Sequence, residues 1–121
     1  VRSLVLRRAS TAFPPVDVYE TDHALVFEMD LPGIDAARLN ILVTGDTVLI
    51  EGSTGDEASG ARARGLRYVC MERVARPFRR VLRIPVAVDP EEARAVYSGG
   101  VVTLTFPKKR DRVFKIKVER E

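Results

Sequence analysis

The stretch Ala24–Leu31, ALVFEMDL, decides how the rest of this chain is read. Leu25, Phe27, Met29 and Leu31 fall on alternate positions, with Val26, Glu28 and Asp30 between them. A period of two puts the first set on one face of a β-strand, toward a core, and the second set outward. Pro32-Gly33 follows at once and ends the strand.

Outward from this stretch the same grammar repeats. Before it, Pro14-Pro15 introduces VDVYE, with Val16 and Val18 on one face; Asp22-His23 makes the turn between the two strands. After it, LPGIDAARL reads as a loop with one helical turn. LNILVT and TVLIEGS then flank Gly45-Asp46, a two-residue connection that closes a tight hairpin. FRRVLRIPVAV is a further strand, with Phe78, Leu82 and Ile84 on a common face. Ala93–Tyr97 and Val101–Phe106 flank the turn Gly99-Gly100. RYVCMERV also has strand-like alternation, and Cys70, with apolar flanks, reads as a half-buried structural thiol. Many short strands with turns about ten residues apart predict an all-β, immunoglobulin-like antiparallel sandwich. A chain of 121 residues suits one such domain.

Composition narrows the function. Charged residues make up 31% and hydrophobic residues 45%, ordinary globular proportions. The net charge is +3, but the basic residues are scattered among seventeen acids, which argues for solvated surface rather than a nucleic-acid footprint. No apolar run approaches the roughly 20 residues that span a bilayer. The Arg-rich start, VRSLVLRRASTAF, has too brief an apolar run for a signal peptide and reads as an arm; a cytoplasmic protein with no stable membrane association is expected. One cysteine cannot form an intrachain disulfide.

Catalytic chemistry finds no footing. His23 is the single histidine and lies in a turn; with Cys70 far off, neither a metal site nor a Cys–His pair has enough ligands. Gly55 and Gly60 have the spacing of a phosphate loop, but Ala61-Arg62 follow where Lys and Ser or Thr are needed. Asp89-Pro90-Glu91-Glu92 is turn chemistry. The expectation is a non-enzyme without metal or cofactor.

Four fragments, in order, carry a resemblance. They are DLPGI (30–34), ERVARPFRRVLRIP (72–85), AVYSGGVVTLTFPK (95–108) and Ile116-Lys117-Val118. Together they resemble the small heat-shock proteins, built on the alpha-crystallin domain, over residues 15–118. The signature turn is carried by Ala95, Gly99, Gly100, Val101 and Val102. Gly99 stands for the usual Asn, Val102 for Leu and Ile84 for Leu.

The resemblance implies an organisation: an N-terminal arm (1–13), shorter than the apolar arms common in the family, an alpha-crystallin domain (14–107) and a C-terminal extension (108–121). It implies a tail-accepting groove between Leu39, Ile41 and Val43 on one strand and Ala93, Ala95 and Tyr97 on another. Ile116 and Val118 would be the plugs, the charged run from Lys108 to Arg112 giving reach. Addition of Phe114–Val118 to its own sheet is the alternative. In bacterial and plant relatives a loop like 55–74 carries a strand, here Tyr68, Val69, Cys70 and Met71, across to a partner and makes the dimer; an intrachain strand on a surface loop is the alternative. The implied function is nucleotide-independent holding of partly unfolded clients by homo-oligomers. Two other readings compete: a CS-domain-like adaptor docking one folded partner, and, ranked lower, a nucleic-acid binder, which would need aromatics interleaved with a basic face.

Overall fold

A computed structural model describes residues 12–55, 64–73, 75–110 and 115–121. Among the described residues seven strands form two antiparallel sheets. They are β1 (Val16–Glu20), β2 (Ala24–Asp30), β3 (Asn40–Thr44), β4 (Thr47–Thr54), β5 (Arg76–Arg83), β6 (Arg94–Ser98) and β7 (Val101–Pro107). The larger sheet has the order β1-β2-β7-β6 and the smaller β3-β4-β5. The described helical content is two single 3-10 turns, Ala36–Arg38 and Pro90–Glu92. The all-β sandwich read from the sequence is the observed fold.

Alternation does the sorting. Leu25, Phe27 and Met29 of β2 meet Val102, Leu104 and Phe106 of β7 on the inner face, each at most 3% exposed. Val48 and Ile50 of β4 and Phe78 of β5 oppose them from the other sheet. Phe27 and Phe106 pack edge-to-face with centroids 5.8 Å apart, the favoured aromatic arrangement. No polar or charged residue is buried among the described residues, so the core holds by apolar packing.

Val26 departs from its expected outward exposure: it is only 6% exposed. It does face outward, but β2 is an interior strand, and Val26 stands in register between Tyr19 of β1 and Thr105 of β7. Alternation assigns a face; the neighbours decide how wet that face is. Tyr19 donates a 2.6 Å hydrogen bond to Glu28 Oε1 on the same face. That bond, with lesser contributions from desolvation and the Glu28 charge, raises the phenol above its ordinary value.

The hairpin turns follow their glycines. Gly99 and Gly100 both have positive φ, +59° and +80°, as a two-residue type I′ connection requires. Gly45, at +58°, supplies the single positive φ of the β3–β4 turn.

A third glycine is set by packing. Gly52 of β4 lies in register with Phe78 of β5, and the Phe78 ring crosses over it. A Cβ at 52 would stand 3.0 Å from Phe78 Cζ and 3.5 Å from Leu39 Cδ1. Valine at this position would gain up to about 1 kcal/mol of strand preference. Displacing the ring costs about 1–3 kcal/mol, so the clash wins. Gly52→Val is therefore expected to lower the urea midpoint with an unchanged m-value; an unaltered midpoint would mean the ring moves freely.

Candidate functional site

Among the described residues each sheet has two outer strands whose far-side backbone groups meet no neighbouring strand of the sheet: β1 and β6 in one, β3 and β5 in the other. Such edges are templates for a further strand. Their pairing across the sandwich is fixed by the segment that enters β1. Phe13 lies edge-on to Phe78 of β5 at 5.9 Å, with the Arg76 guanidinium 3.9 Å from the Phe13 ring centroid. Arg80 of β5 donates to the carbonyl of Pro14. The β1 and β5 edges therefore share one long side of the sandwich, which leaves β3 and β6 flanking the other.

That second side carries the expected groove residues. Leu39, Ile41 and Val43 are half-buried and packed on the core. Ala93 and Tyr97 are likewise half-buried against it, and Tyr97 donates a 2.9 Å hydrogen bond to the carbonyl of Leu31, crossing to the end of β2. Ala95 shares the inward register of Tyr97, opposite Leu104, yet it is exposed. An inward-facing position left open between half-covered neighbours is a place for another side chain. Of the signature turn, Gly99 and Gly100 form the β6–β7 hairpin, Val101 begins β7, and Val102 is core at 1% exposure.

The tail sits apart. Residues 115–121 form no strand, and Ile116 and Val118 are 84% and 89% exposed. Phe114 lies outside the described residues, as do 111–113. The start of the extension is clamped: Lys108 N–H donates to the His23 carbonyl at 2.8 Å, Lys109 N–H to Ala87 at 2.9 Å, and Asp89 N–H to Pro107 at 2.9 Å. Lys108 Nζ also lies 3.6 Å from Glu20. The chain is thus free to leave the sandwich only after Lys109. The seven residue steps from Lys109 to Ile116 can span at most about 25 Å.

The expected strand at Tyr68–Met71 is absent within the single chain. These residues have no strand structure, Val69 is fully exposed, and Tyr68 and Met71 are 49% and 45% exposed. Cys70 is exposed rather than half-buried. The apolar flanks that suggested burial do not cover the thiol in the single chain. Residues 56–63 and 74, which complete the loop, lie outside the described residues, as do 1–11 of the arm.

One surface was missed at the sequence level. Leu42 and Val81, each 56% exposed, stand in register with half-buried Leu49 between them, on the outer face of the three-stranded sheet. The continuous apolar runs NILV and TVLI were the signal, since they place apolar side chains on both faces. His23 lies exposed in the turn foreseen for it, and no cluster of three or more metal-ligating residues occurs among the described residues.

Comparison with known proteins agrees with this geometry. The family model described as "Hsp20/alpha crystallin family" matches residues 17–119. Spore protein SP21 of Stigmatella aurantiaca is 36% identical over 104 residues, covering 85% of this chain and 60% of the relative. An 18.8 kDa class II heat shock protein of Ipomoea nil is 31% identical over 98% of this chain and 74% of its own length. Among solved structures, a small heat-shock protein from Xylella fastidiosa, described as having "a distinct high order structure", superposes with a TM-score of 0.69 at 26% identity. It covers 92% of this chain and 100% of that one.

Proposed function

Because the chain belongs to the Hsp20/alpha crystallin family, we propose that it is a nucleotide-independent holdase chaperone, working as dimer-based homo-oligomers linked by C-terminal tails. The observation that carries this reading is the pairing of an open groove with a matching, unplaced plug. Leu39, Ile41, Val43, Ala93 and Tyr97 are half covered, Ala95 is open, and Ile116 and Val118 stand free in solvent two residues apart. An extended tail laid along a sheet edge gains backbone hydrogen bonds and seats alternate side chains, the mode of β-strand addition. That residues 115–121 add no strand to their own sheet favours docking on a neighbouring subunit.

In the same reading Tyr68, Val69, Cys70 and Met71 pair with a free edge of the partner. The β1 edge suits them, since Val18 and Tyr19 remain 44% and 42% exposed there. The arm, domain and extension keep the boundaries 1–13, 14–107 and 108–121.

The work done is holding. Clients that begin to unfold expose apolar segments, and the arm together with grooves vacated by detached tails covers them, while charged flanks such as Lys108 to Arg112 and Glu119 to Glu121 keep the complex in solution. Heat weakens the links as it unfolds the clients. The site is apolar and offers no acid–base or metal chemistry, so neither catalysis nor a cofactor enters this reading. The protein acts in the cytoplasm on non-native proteins, without nucleic acid or stable membrane association; no helix among the described residues is long and apolar enough to cross a membrane.

The test is suppression of light scattering from a thermally unfolding client enzyme, without nucleotide. The wild type is expected to suppress it at near-stoichiometric ratios, and a form with its tails chemically cross-linked into the grooves to do so poorly. Undiminished suppression by the locked form would overturn the tail-release mechanism.

A further inference from the structure

The outer face of the three-stranded sheet carries an apolar line that the function proposed above leaves unused. Leu42, Leu49 and Val81 lie side by side across β3, β4 and β5. The rows on either side are polar: Asn40, Glu51 and Arg79 along one flank, Thr44, Thr47 and Arg83 along the other. Arg79 and Arg83 are each held by an acid, Glu51 at 3.9 Å and Asp46 at 3.4 Å. The strip is therefore one residue wide and three strands long.

That shape restricts its occupant. A stable contact with a folded protein buries on the order of 1,000 Å² or more with a broad apolar centre, which three side chains bounded by charge cannot supply. A single extended chain crossing the strands fits the strip. The gain from so few side chains is small, so a separate peptide would bind poorly, whereas a tethered one acts at an effective concentration on the order of millimolar.

The chain itself supplies such a segment, and its point of attachment is on the page. Phe13 is pinned against Phe78 and Arg76, and Arg80 donates to the carbonyls of both Ala12 and Pro14, so the described chain begins, at Ala12, beside the β5 edge. Val81, the nearest member of the strip, is the next residue along β5 from Arg80. Upstream lie Leu4-Val5-Leu6, followed by Arg7 and Arg8. From Ala12 back to Leu6 an extended chain reaches about 20 Å, and the strip spans about 10 Å, two strand spacings.

We propose that residues 4–6 of the arm turn around the β5 edge and lie across Leu42, Leu49 and Val81 of their own subunit, covering this face. The surface is an intrachain docking site for an apolar extended segment, distinct from the groove that receives the tail. It stands or falls independently of the holdase reading, because the test reads contact rather than chaperone activity.

Trypsin cleavage after Arg7 and Arg8, followed by mass spectrometry on the full chain, measures how often the arm is off the sheet. A contact formed about 90% of the time slows cleavage about tenfold, because cleavage tracks the open population. Leu42→Glu/Val81→Glu and, separately, Leu4→Asp/Leu6→Asp are each expected to raise the rate about tenfold. Thr105→Glu, on the outer face of the other sheet, should leave it unchanged. The arm variant, altered outside the sandwich, keeps the test valid should the sheet variant misfold. Methyl spectra provide the second readout: Leu42, Leu49 and Val81 should shift in the arm variant, at every protein concentration. Equal cleavage rates in wild type and arm variant would overturn the proposal. So would methyl shifts that appear only on raising the protein concentration, which would assign the face to a second copy, or only on adding unfolded client.

Discussion

Ile116→Ala/Val118→Ala is expected to reduce the particle from many subunits to dimers, a several-fold fall in mass read by light scattering coupled to size exclusion. The two side chains are 84% and 89% exposed in the single chain, so almost all their apolar surface is available for burial elsewhere. Burying both is worth roughly 3–6 kcal/mol gross. Ordering the tail consumes part of this, so one link is weak and exchangeable. A particle joined by several tails gains avidity from each additional link, and truncating every plug at once removes that gain altogether. The domain should be untouched, because neither residue contacts the core. Lys115→Ala/Lys117→Ala, on the opposite face of the same extended segment, should leave the mass near that of the wild type. Monomers in both wild type and double variant would overturn tail linkage and bring the adaptor reading forward.

The face assignments behind this expectation came from the sequence, where the physics is local. Leu25, Phe27, Met29 and Leu31 alternate, and all four are buried at 1% exposure or less. The turns at Gly45-Asp46 and Gly99-Gly100 were legible because a two-residue connection demands positive φ that glycine supplies without strain. What depends on a strand's neighbours was not legible. Val26 is covered by Tyr19 and Thr105, and nothing in ALVFEMDL says that β2 lies between β1 and β7. Tyr68–Met71 has strand alternation but forms no strand in the single chain, since alternation does not say whether a segment meets an edge. Cys70 misled for the same reason: apolar neighbours in sequence do not bury a thiol unless a surface meets them. Residues of the groove were placed by family resemblance. The structure adds that Ala95, inward by register, is left open, which sequence could not show.

Phe106→Ala tests the other level of organisation and has the largest expected cost. Phe106 is fully buried on β7, an interior strand of the larger sheet, in register with Leu25 and edge-on to Phe27. Truncating a buried Phe costs about 3–5 kcal/mol in transfer and cavity terms, against a typical domain stability of about 5–15 kcal/mol. For a domain of this size the melting temperature should fall by roughly 15–30 °C. Phe106→Leu, which keeps most of the volume, should cost less than half as much. The two lesions are separable by concentration. Assembly stabilises folded subunits by mass action, so wild-type melting should rise on concentrating the protein. In Ile116→Ala/Val118→Ala the dependence on concentration should shrink to that of a dimer, with the cooperative unfolding of the sandwich retained. In Phe106→Ala the tails are intact but few folded grooves remain on heating, so particle mass and sheet circular dichroism should be lost together. A fall of only a few degrees in Phe106→Ala would mean that the two sheets close over the missing ring, and that the Phe27–Phe106 pair does not anchor the core.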